Sequence, residues 1–441
     1  MKKVVFVLGL GRTGLSVCRF LLQKGEKVVA YDDALPVEKV PRALVDSSRF
    51  SFSLPEQSEH FEEAVISPGI GPSNPLVQTF QQSGVPLVSD IEVACRYISF
   101  PLIGITGSQG KSTTVSLLGN ILQEGGFRVF IGGNLGIPLC DVFNDTAGYD
   151  WGVVELSSFQ LERTHTARFH IAGILNVFPN HLDRHGTMRS YAEAKYRIFD
   201  NQKNEDFSLL NGIQTAWQPP RIRSLRSRTL LFTTNGRLFE GIYFGGNQLI
   251  AMLDGKKIAI SKEKWALPGR HNLENLAFAA LAALTAGVTP EALERAISSF
   301  RGLPHRIELV TEKNGVYFYN DSKSTTPVAT KAAVESLSGP IILLLGGRGK
   351  CRNFHQLEEI LVGGKVKKAI IFGEDRLEIV KHLPQSLPRE VVVDLAEAVK
   401  KAVYSATRGD KVLLSPACTS WDGYRDYEQR GEHFRRLVNG F

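Results

Sequence analysis

The sequence predicts an α/β protein of three domains, each carrying a largely parallel sheet. Three observations predict it. Strand-like apolar runs alternate with helical patterns along most of the chain, two of these runs end in glycine turns that open helices, and 441 residues exceed one ordinary core. With 43% hydrophobic and 22% charged residues, the composition is that of an ordinary globular protein.

The first domain is assigned to residues 1–100. Its opening run, Val4 to Leu8, reads as a buried strand, and Gly9, Gly11 and Gly14 give GxGxxG before the helical LSVCRFLLQKG. Such glycines let a backbone turn approach a pyrophosphate at a helix N-terminus. A second strand, KVVAYDD, ends in Asp32 and Asp33, near where a dinucleotide fold keeps its ribose-binding acid. On these residues alone the unit is Rossmann-like, and an NAD or FAD oxidoreductase stays open.

The second domain, 101–300, is organised around LIGITGSQGKSTT. An apolar strand (Leu102, Ile103, Ile105) gives way to Gly107, Ser108, Gln109 and Gly110, then to Lys111, Ser112 and Thr113 at the head of a helical VSLLGNILQEGG. Small residues let backbone N–H groups face phosphate oxygens, the lysine adds charge, and a following hydroxyl can bind Mg²⁺. The generic phosphate loop has a further glycine where this chain has Ile105, so the match is to a shorter variant. This is a P-loop-type nucleotide triphosphate cradle. Downstream, DWGVVE is a strand ending at Glu155, HIAGILNVFPNHLDRHG is a strand leading to Asn180, His181 and Asp183, and SYAEAKYRIF is a helix carrying Lys195. Residues 206–264 read as short strands in a β excursion, and Asn272 reads as the N-cap of a long alanine- and leucine-rich helix. The segment SSFRGLPHRIELV reads as a linker. Strands at VYFYNDS, IILLLGG, KAIIFG and KVLLSPA then give a third, Rossmann-like α/β unit at 301–441.

Composition narrows the function classes. The formal net charge of +7 suits a phosphate-bearing partner, but the densest basic cluster, Arg221, Arg223, Arg226 and Arg228, alternates with small or apolar residues. A solvated strand face is expected there, not a nucleic-acid site. Cys18, Cys95, Cys140, Cys351 and Cys418 lie far apart with no CxxC pair, which points to a reducing compartment. The apolar run of MKKVVFVLGLGRTG leads into glycines rather than a cleavage site, so a first strand is expected and not a signal peptide. No apolar stretch approaches the roughly 20 residues of a membrane span. A cytoplasmic protein is expected, without nucleic-acid partner or membrane insertion.

Individual candidate residues keep two readings. Glu155, at a strand end beyond the phosphate loop, can hold Mg²⁺ or can simply start a helix. His181 can be catalytic or structural. Lys195 on its helix face reads from composition as a solvated lysine.

The loop TGSQGKST, the runs ELSSFQL and NVFPNHLDRHG with downstream YAEAK, and the motifs LPGRHN, GLPHR, NDSKST and GGRGK together resemble the Mur ligase family. These are cytoplasmic, ATP-dependent amide-forming enzymes of peptidoglycan precursor synthesis. The resemblance spans essentially the whole chain. GLGRTGLS, GGNLGIP, GLPHRIE and LLSPACTSWDGYRDYEQRGEHF resemble its D-glutamate-adding branch, while the DNPR-type motif of the diaminopimelate-adding branch is replaced by GGRGKCRNF. Folylpolyglutamate synthetase also resembles the central domain, but leaves the GxGxxG unit unexplained.

The resemblance implies substrates UDP-N-acetylmuramoyl-L-alanine and D-glutamate, ATP and two Mg²⁺ ions, and a monomer. It implies that Gly11, Arg12 and Thr13 seat the UDP portion without nicotinamide, with Asp32 near the uracil and Asn134 on the muramoyl side. Lys111, His181, Lys195 and Arg306 are the implied catalytic residues. Ser112 and Glu155 would serve one Mg²⁺, and His181 with a carbamylated Lys195 the other. Asn272 and Asn275 are implied on the adenine side, while Arg306, Asp321 and Lys323 reach phosphates and ribose as the third domain closes. Thr325, Lys350, Ser420, the backbone at Trp421 and Tyr427 are implied for D-glutamate.

Overall fold

Three sheets organise the chain. The computed structural model describes residues 3–55, 60–134, 136–144, 148–214, 216–349 and 354–441. The chain divides into two compact units, 1–265 with 270–300, and 266–269 with 301–441.

The first unit holds two sheets. One is all parallel, in the order Phe50–Phe52, Lys27–Tyr31, Val4–Leu8, Glu63–Ile66, Leu87–Val88. Its central strand, VVFVL, is buried almost throughout, as expected of a β-branched run covered on both faces. The second sheet has nine strands: Lys256–Ser261, Gln248–Leu253, Gly241–Gly245, Arg228–Phe232, Phe207–Asn211, Ile171–Ile174, Leu102–Thr106, Trp151–Glu155, Val129–Gly133. Seven are parallel, and the last two in chain order close the edge as antiparallel hairpins. Residues 206–232 therefore correct the expected β excursion: Phe207–Asn211 pairs in parallel with Ile171–Ile174 and extends the main sheet. Short strands look alike in sequence whether they extend a sheet or leave it.

Buried polar bonds join the two sheets of this unit. The Glu92 carboxylate accepts the backbone N–H groups of His165, Thr166 and Ala167, and the Ser89 and Thr164 hydroxyls meet at 3.2 Å. Gln160 Nε2 donates to both oxygens of Asp90, at 3.0 and 3.2 Å. The nucleotide-type cleft of the first sheet and the phosphate loop of the second thus belong to one body.

The second unit carries the order Glu308–Lys313, Val316–Asn320, Lys411–Leu414, Ile341–Gly346, Val366–Phe372, Arg389–Val391, parallel except for its first strand. The expected linker is thus corrected in its second half, because Glu308–Lys313 is an edge strand paired with Val316–Asn320. Two further local expectations change. Arg221 and Arg223 lie in a 3₁₀ turn, Pro220–Ser224, behind its Pro219–Pro220 start, and only Arg228 is on a strand. The alanine-rich helix runs Arg270–Thr285, which puts Asn272 inside its first turn rather than at the cap. Among the described residues no helix is long and apolar enough to cross a membrane.

Candidate active site

The phosphate loop is shaped by its neighbours as much as by its glycines. Strand Leu102–Thr106 is fully buried and delivers Gly107 to the carboxyl edge of the sheet, and helix Lys111–Glu124 starts directly after Gly110. Gly110 sits in the left-handed region, φ +83°, and a Cβ there would collide with Asn275 Oδ1. Only glycine meets both conditions. Asn176 holds the loop from the next strand end: its Oδ1 accepts the N–H groups of Ser108 (3.1 Å) and Gln109 (2.9 Å), and its Nδ2 donates to Gln109 O (3.2 Å). The Ser108 hydroxyl meets Tyr191 OH at 3.1 Å and accepts the N–H of Phe178. Lys111 Nζ donates to Gly107 O at 3.0 Å, while Ser112 and Thr113 are buried behind it.

Beside this loop lies a group of unlike charges. Glu155 ends its strand 2% exposed, its Oε1 accepting from Asn134 Nδ2 at 2.9 Å. Its Oε2 is buried with no hydrogen-bond partner among the described residues. A buried carboxylate oxygen left so costs about 1–3 kcal/mol, and a cation is the natural partner. That orphaned oxygen fits the Mg²⁺ the family implies.

Lys195 corrects the expectation of a solvated lysine: it is 1% exposed, and Nζ donates to Gly107 O at 2.9 Å. Burial, and then the nearby Lys111 ammonium, hold its amine well below the ordinary lysine range despite Glu155. The shift is toward the neutral, nucleophilic form. His181 stands exposed at φ +53°, capping the turn Leu182–His185. Partial burial first, then the nearby lysines Lys195 and Lys111, lower its pKa against the pull of Asp183, which shifts the imidazole toward the uncharged form that metal ligation requires. Among the described residues no group of three His, Cys, Asp or Glu side chains forms a metal site. Of the implied ligands Ser112, Glu155, His181 and Lys195, two, Glu155 and His181, are of those types.

The glycine turn of the first sheet opens on a cleft of about 530 Å³ lined by Gly11, Arg12, Thr13, Asp32, Asn134 and the 67–70 loop. Helix Arg12–Gln23 begins here with no side-chain cap, so its N-terminal N–H groups face the cleft. A Cβ on Gly14 would strike Gly9 O, which explains the close helix–strand packing. Asp32 works within the turn, its Oδ2 accepting from Leu10 N at 2.6 Å and its Oδ1 from Ala34 N at 2.8 Å.

Asn275 is buried against Gly110, with its Nδ2 donating to Asn272 Oδ1 at 3.2 Å. In the second unit, Asp321 faces inward: Oδ1 accepts from Ile307 N (3.2 Å) and Oδ2 from Ser415 Oγ (2.7 Å). Burial pushes its pKa up to about 6 against these hydrogen bonds. Arg306 is half-buried, and Lys323 Nζ lies 5.5 Å from the Tyr427 ring. Thr325 is half-buried, Ser420 buried and Trp421 64% exposed, and these sit on loops following the adjacent strands Val316–Asn320 and Lys411–Leu414. Lys350 lies outside the described residues.

Three functional neighbours escape a sequence reading. Asn176 is one asparagine in a loop-like NVFPN, and Tyr191 one aromatic on an amphipathic helix. His185 bonds Ser158 Oγ through Nε2 (2.9 Å) and Glu162 through Nδ1 (3.0 Å), with burial and Arg184 lowering its pKa to about 4. Only the i to i+4 spacing from His181 hinted that it shares that turn.

A phosphate loop at the carboxyl end of a parallel sheet, beside a buried carboxylate with one oxygen unpartnered among the described residues, defines the class of α/β nucleotide triphosphate-binding enzymes. Comparison with known proteins makes the class specific. Family models match as the Mur ligase MurD-like N-terminal domain at 2–89, the Mur ligase middle domain at 105–283 and the Mur ligase glutamate ligase domain at 305–418. Curated relatives called UDP-N-acetylmuramoylalanine–D-glutamate ligase, from Syntrophus aciditrophicus and Thermoanaerobacter pseudethanolicus, are each 38% identical over 99% of this chain and 98% of their own. The chain belongs to the Mur ligase family. Its fold is shared with UDP-N-acetylmuramate-alanine ligase of Thermotoga maritima (TM-score 0.57, 16% identity, all of both chains) and with the Mur ligase solved with ADP from that organism (TM-score 0.57, 20% identity, 100% and 96% covered).

Proposed function

We propose that this chain joins D-glutamate to UDP-N-acetylmuramoyl-L-alanine in peptidoglycan precursor synthesis, using ATP and working in the cytoplasm. The observation that carries this is full-length identity of 38% to ligases of that name. The phosphate loop supplies the chemistry such a ligase needs.

A carboxylate is a poor acyl donor. The alanyl carboxylate oxygen therefore attacks the γ-phosphorus of ATP, ADP leaves, and an acyl phosphate forms. The amine of D-glutamate then attacks the carbonyl carbon, loses a proton, and phosphate departs. The loop Gly107 to Gly110, the N-terminus of helix Lys111–Glu124 and the Lys111 ammonium take the phosphates, while Arg306 offsets negative charge on the transferring group. Asn272 and Asn275 are assigned to the adenine side, and Asp321 and Lys323 to ribose and phosphate. Gly11, Arg12, Thr13, Asp32 and Asn134 take the UDP-sugar. Thr325, Lys350, Ser420, Trp421 and Tyr427 take D-glutamate.

Mg²⁺, when bound, would neutralise the negative charge that develops during phosphoryl transfer. Ser112 and Glu155 would hold one ion, His181 and Lys195 the second. The lowered basicity of Lys195 supports carbamylation: the unprotonated amine nitrogen adds to CO₂, a proton leaves, and a carboxylate-like anion then stands next to the loop.

The test is phosphate release by purified protein with ATP, Mg²⁺ and UDP-N-acetylmuramoyl-L-alanine, comparing amino acids. D-glutamate is expected to drive turnover, with L-alanine, D-alanine and diaminopimelate near background. Turnover with diaminopimelate alone would overturn the assignment.

A further inference from the structure

Two arginines reach from the nine-stranded sheet's loops to the wall of the nucleotide cleft. Arg184 Nη1 donates to Pro68 O at 2.8 Å, and Arg163 Nη2 to Ile70 O at 3.3 Å. Pro68, Gly69 and Ile70 line the cleft opposite the glycine turn, and Ser67 Oγ ties the same loop to Gly9 O at 2.8 Å.

Both guanidinium groups are kept there against a desolvation cost. Arg163 is only 8% exposed with a buried Nη1 that has no hydrogen-bond partner among the described residues, and Arg184 has buried Nε and Nη2 in the same condition. Arg184 lies 3.9 Å above the Phe159 ring, and Glu162 stands 3.6 Å from its Nη2. Glu162 serves His185 as well, at 3.0 Å. Burying two guanidinium groups against one carboxylate is a poor way to stabilise a fold. It is a good way to hold two carbonyls of a loop that has few other anchors of that strength.

Arg184 also belongs to the four-residue turn Leu182–His185 that His181 caps. One side chain therefore joins the cleft wall to the turn carrying the exposed histidine. We propose that Arg163 and Arg184 are positioning residues: both fix the 68–70 wall for the UDP-bearing substrate, and Arg184 transmits that wall's position to His181. The inference rests on the reading of the cleft as the UDP-sugar site.

The test compares Arg163→Met and Arg184→Met, which keep the aliphatic stems, with Arg163→Lys and Arg184→Lys. A cleft control is Gly11→Leu. Gly11 has φ −65° and open space where a Cβ would stand, so the leucine fits the backbone yet fills the cleft. KM is measured for UDP-N-acetylmuramoyl-L-alanine and for ATP separately, with melting temperature as the check on folding. Each Met variant is expected to raise the UDP-substrate KM about tenfold or more, the loss of one charged hydrogen bond, with the ATP KM within about twofold. Arg184→Met is expected to lower kcat as well, Arg163→Met to spare it, and the Lys variants to recover part of the loss. Unchanged UDP-substrate KM, or equal shifts in both KM values, overturns the proposal. If Gly11→Leu leaves the UDP-substrate KM unchanged, the cleft reading itself fails, whatever the arginines do. Should Arg184→Met not fold, Arg163→Met and Arg184→Lys decide the question.

Discussion

Gly110 shows how tightly single residues are bound to the phosphate loop. Its φ of +83° is a left-handed conformation that costs other residues of order 1–3 kcal/mol. A methyl there also strikes Asn275 Oδ1. Gly110→Ala is therefore expected to lower the melting temperature and weaken ATP binding, the carbonyl and N–H groups of the turn being displaced. Removing the obstacle with Asn275→Ala in the same chain should restore part of the lost stability but not the backbone strain, so the two changes are non-additive. ATP affinity by calorimetry and melting curves check this. An unchanged ATP Kd in Gly110→Ala would show that the loop is not the phosphate seat. Gly110 could be read from sequence because the glycine-lysine-hydroxyl order carries its own physical reason. Lys195 could not: its burial depends on Gly107 O and Tyr191, and no helix periodicity shows what packs on a lysine from a distant strand end.

At the scale of elements, the strand runs were legible because parallel strands covered on both faces are continuously apolar, as VVFVL, IILLLG and LIGIT are. Pairing was less so. Phe207–Asn211 looked detached and is an interior strand, and Glu308–Lys313 looked like linker because an edge strand alternates weakly, with Leu309 47% exposed. The segment after Ile171–Ile174 matters most for the site. Its Asn176 side chain makes three hydrogen bonds to the phosphate loop, and losing it takes a partner from both the N–H and the C=O of Gln109, while the Ser108 N–H keeps the Asn176 backbone oxygen at 3.0 Å. Asn176→Ala is expected to raise the ATP KM at least tenfold while leaving the UDP-substrate KM in place. Asn176→Asp keeps the acceptor for Ser108 and Gln109 and should recover part of the effect. Steady-state kinetics with each substrate varied in turn make the distinction, and parallel rises in both KM values would mean that Asn176 supports the fold generally rather than the loop.

On the scale of the whole molecule, the first unit depends on buried polar groups linking its two sheets, and Asp90 is the one whose charge is least comfortable. It is 2% exposed, and burial raises its pKa to about 6, opposed by the Gln160 amide and by backbone N–H groups. The folded value lies above the unfolded 3.8, so protonation favours the folded state. The stabilisation from this group is fully present below the unfolded value and is lost as pH rises to about 6, amounting to about 2–3 kcal/mol at neutral pH. Asp90→Asn keeps an acceptor for Gln160 Nε2 but cannot ionise. Its stability relative to the native chain should therefore improve steadily from pH 4 to about pH 6.5 and then level off, all other titrations cancelling in the difference. Denaturant unfolding of both proteins across pH 4 to 8 measures this directly. A difference that stays flat, or that runs in favour of the native chain as pH rises, would mean that the Asp90 carboxylate is well paired by Gln160 and that the contact between the sheets is held by an ionised group.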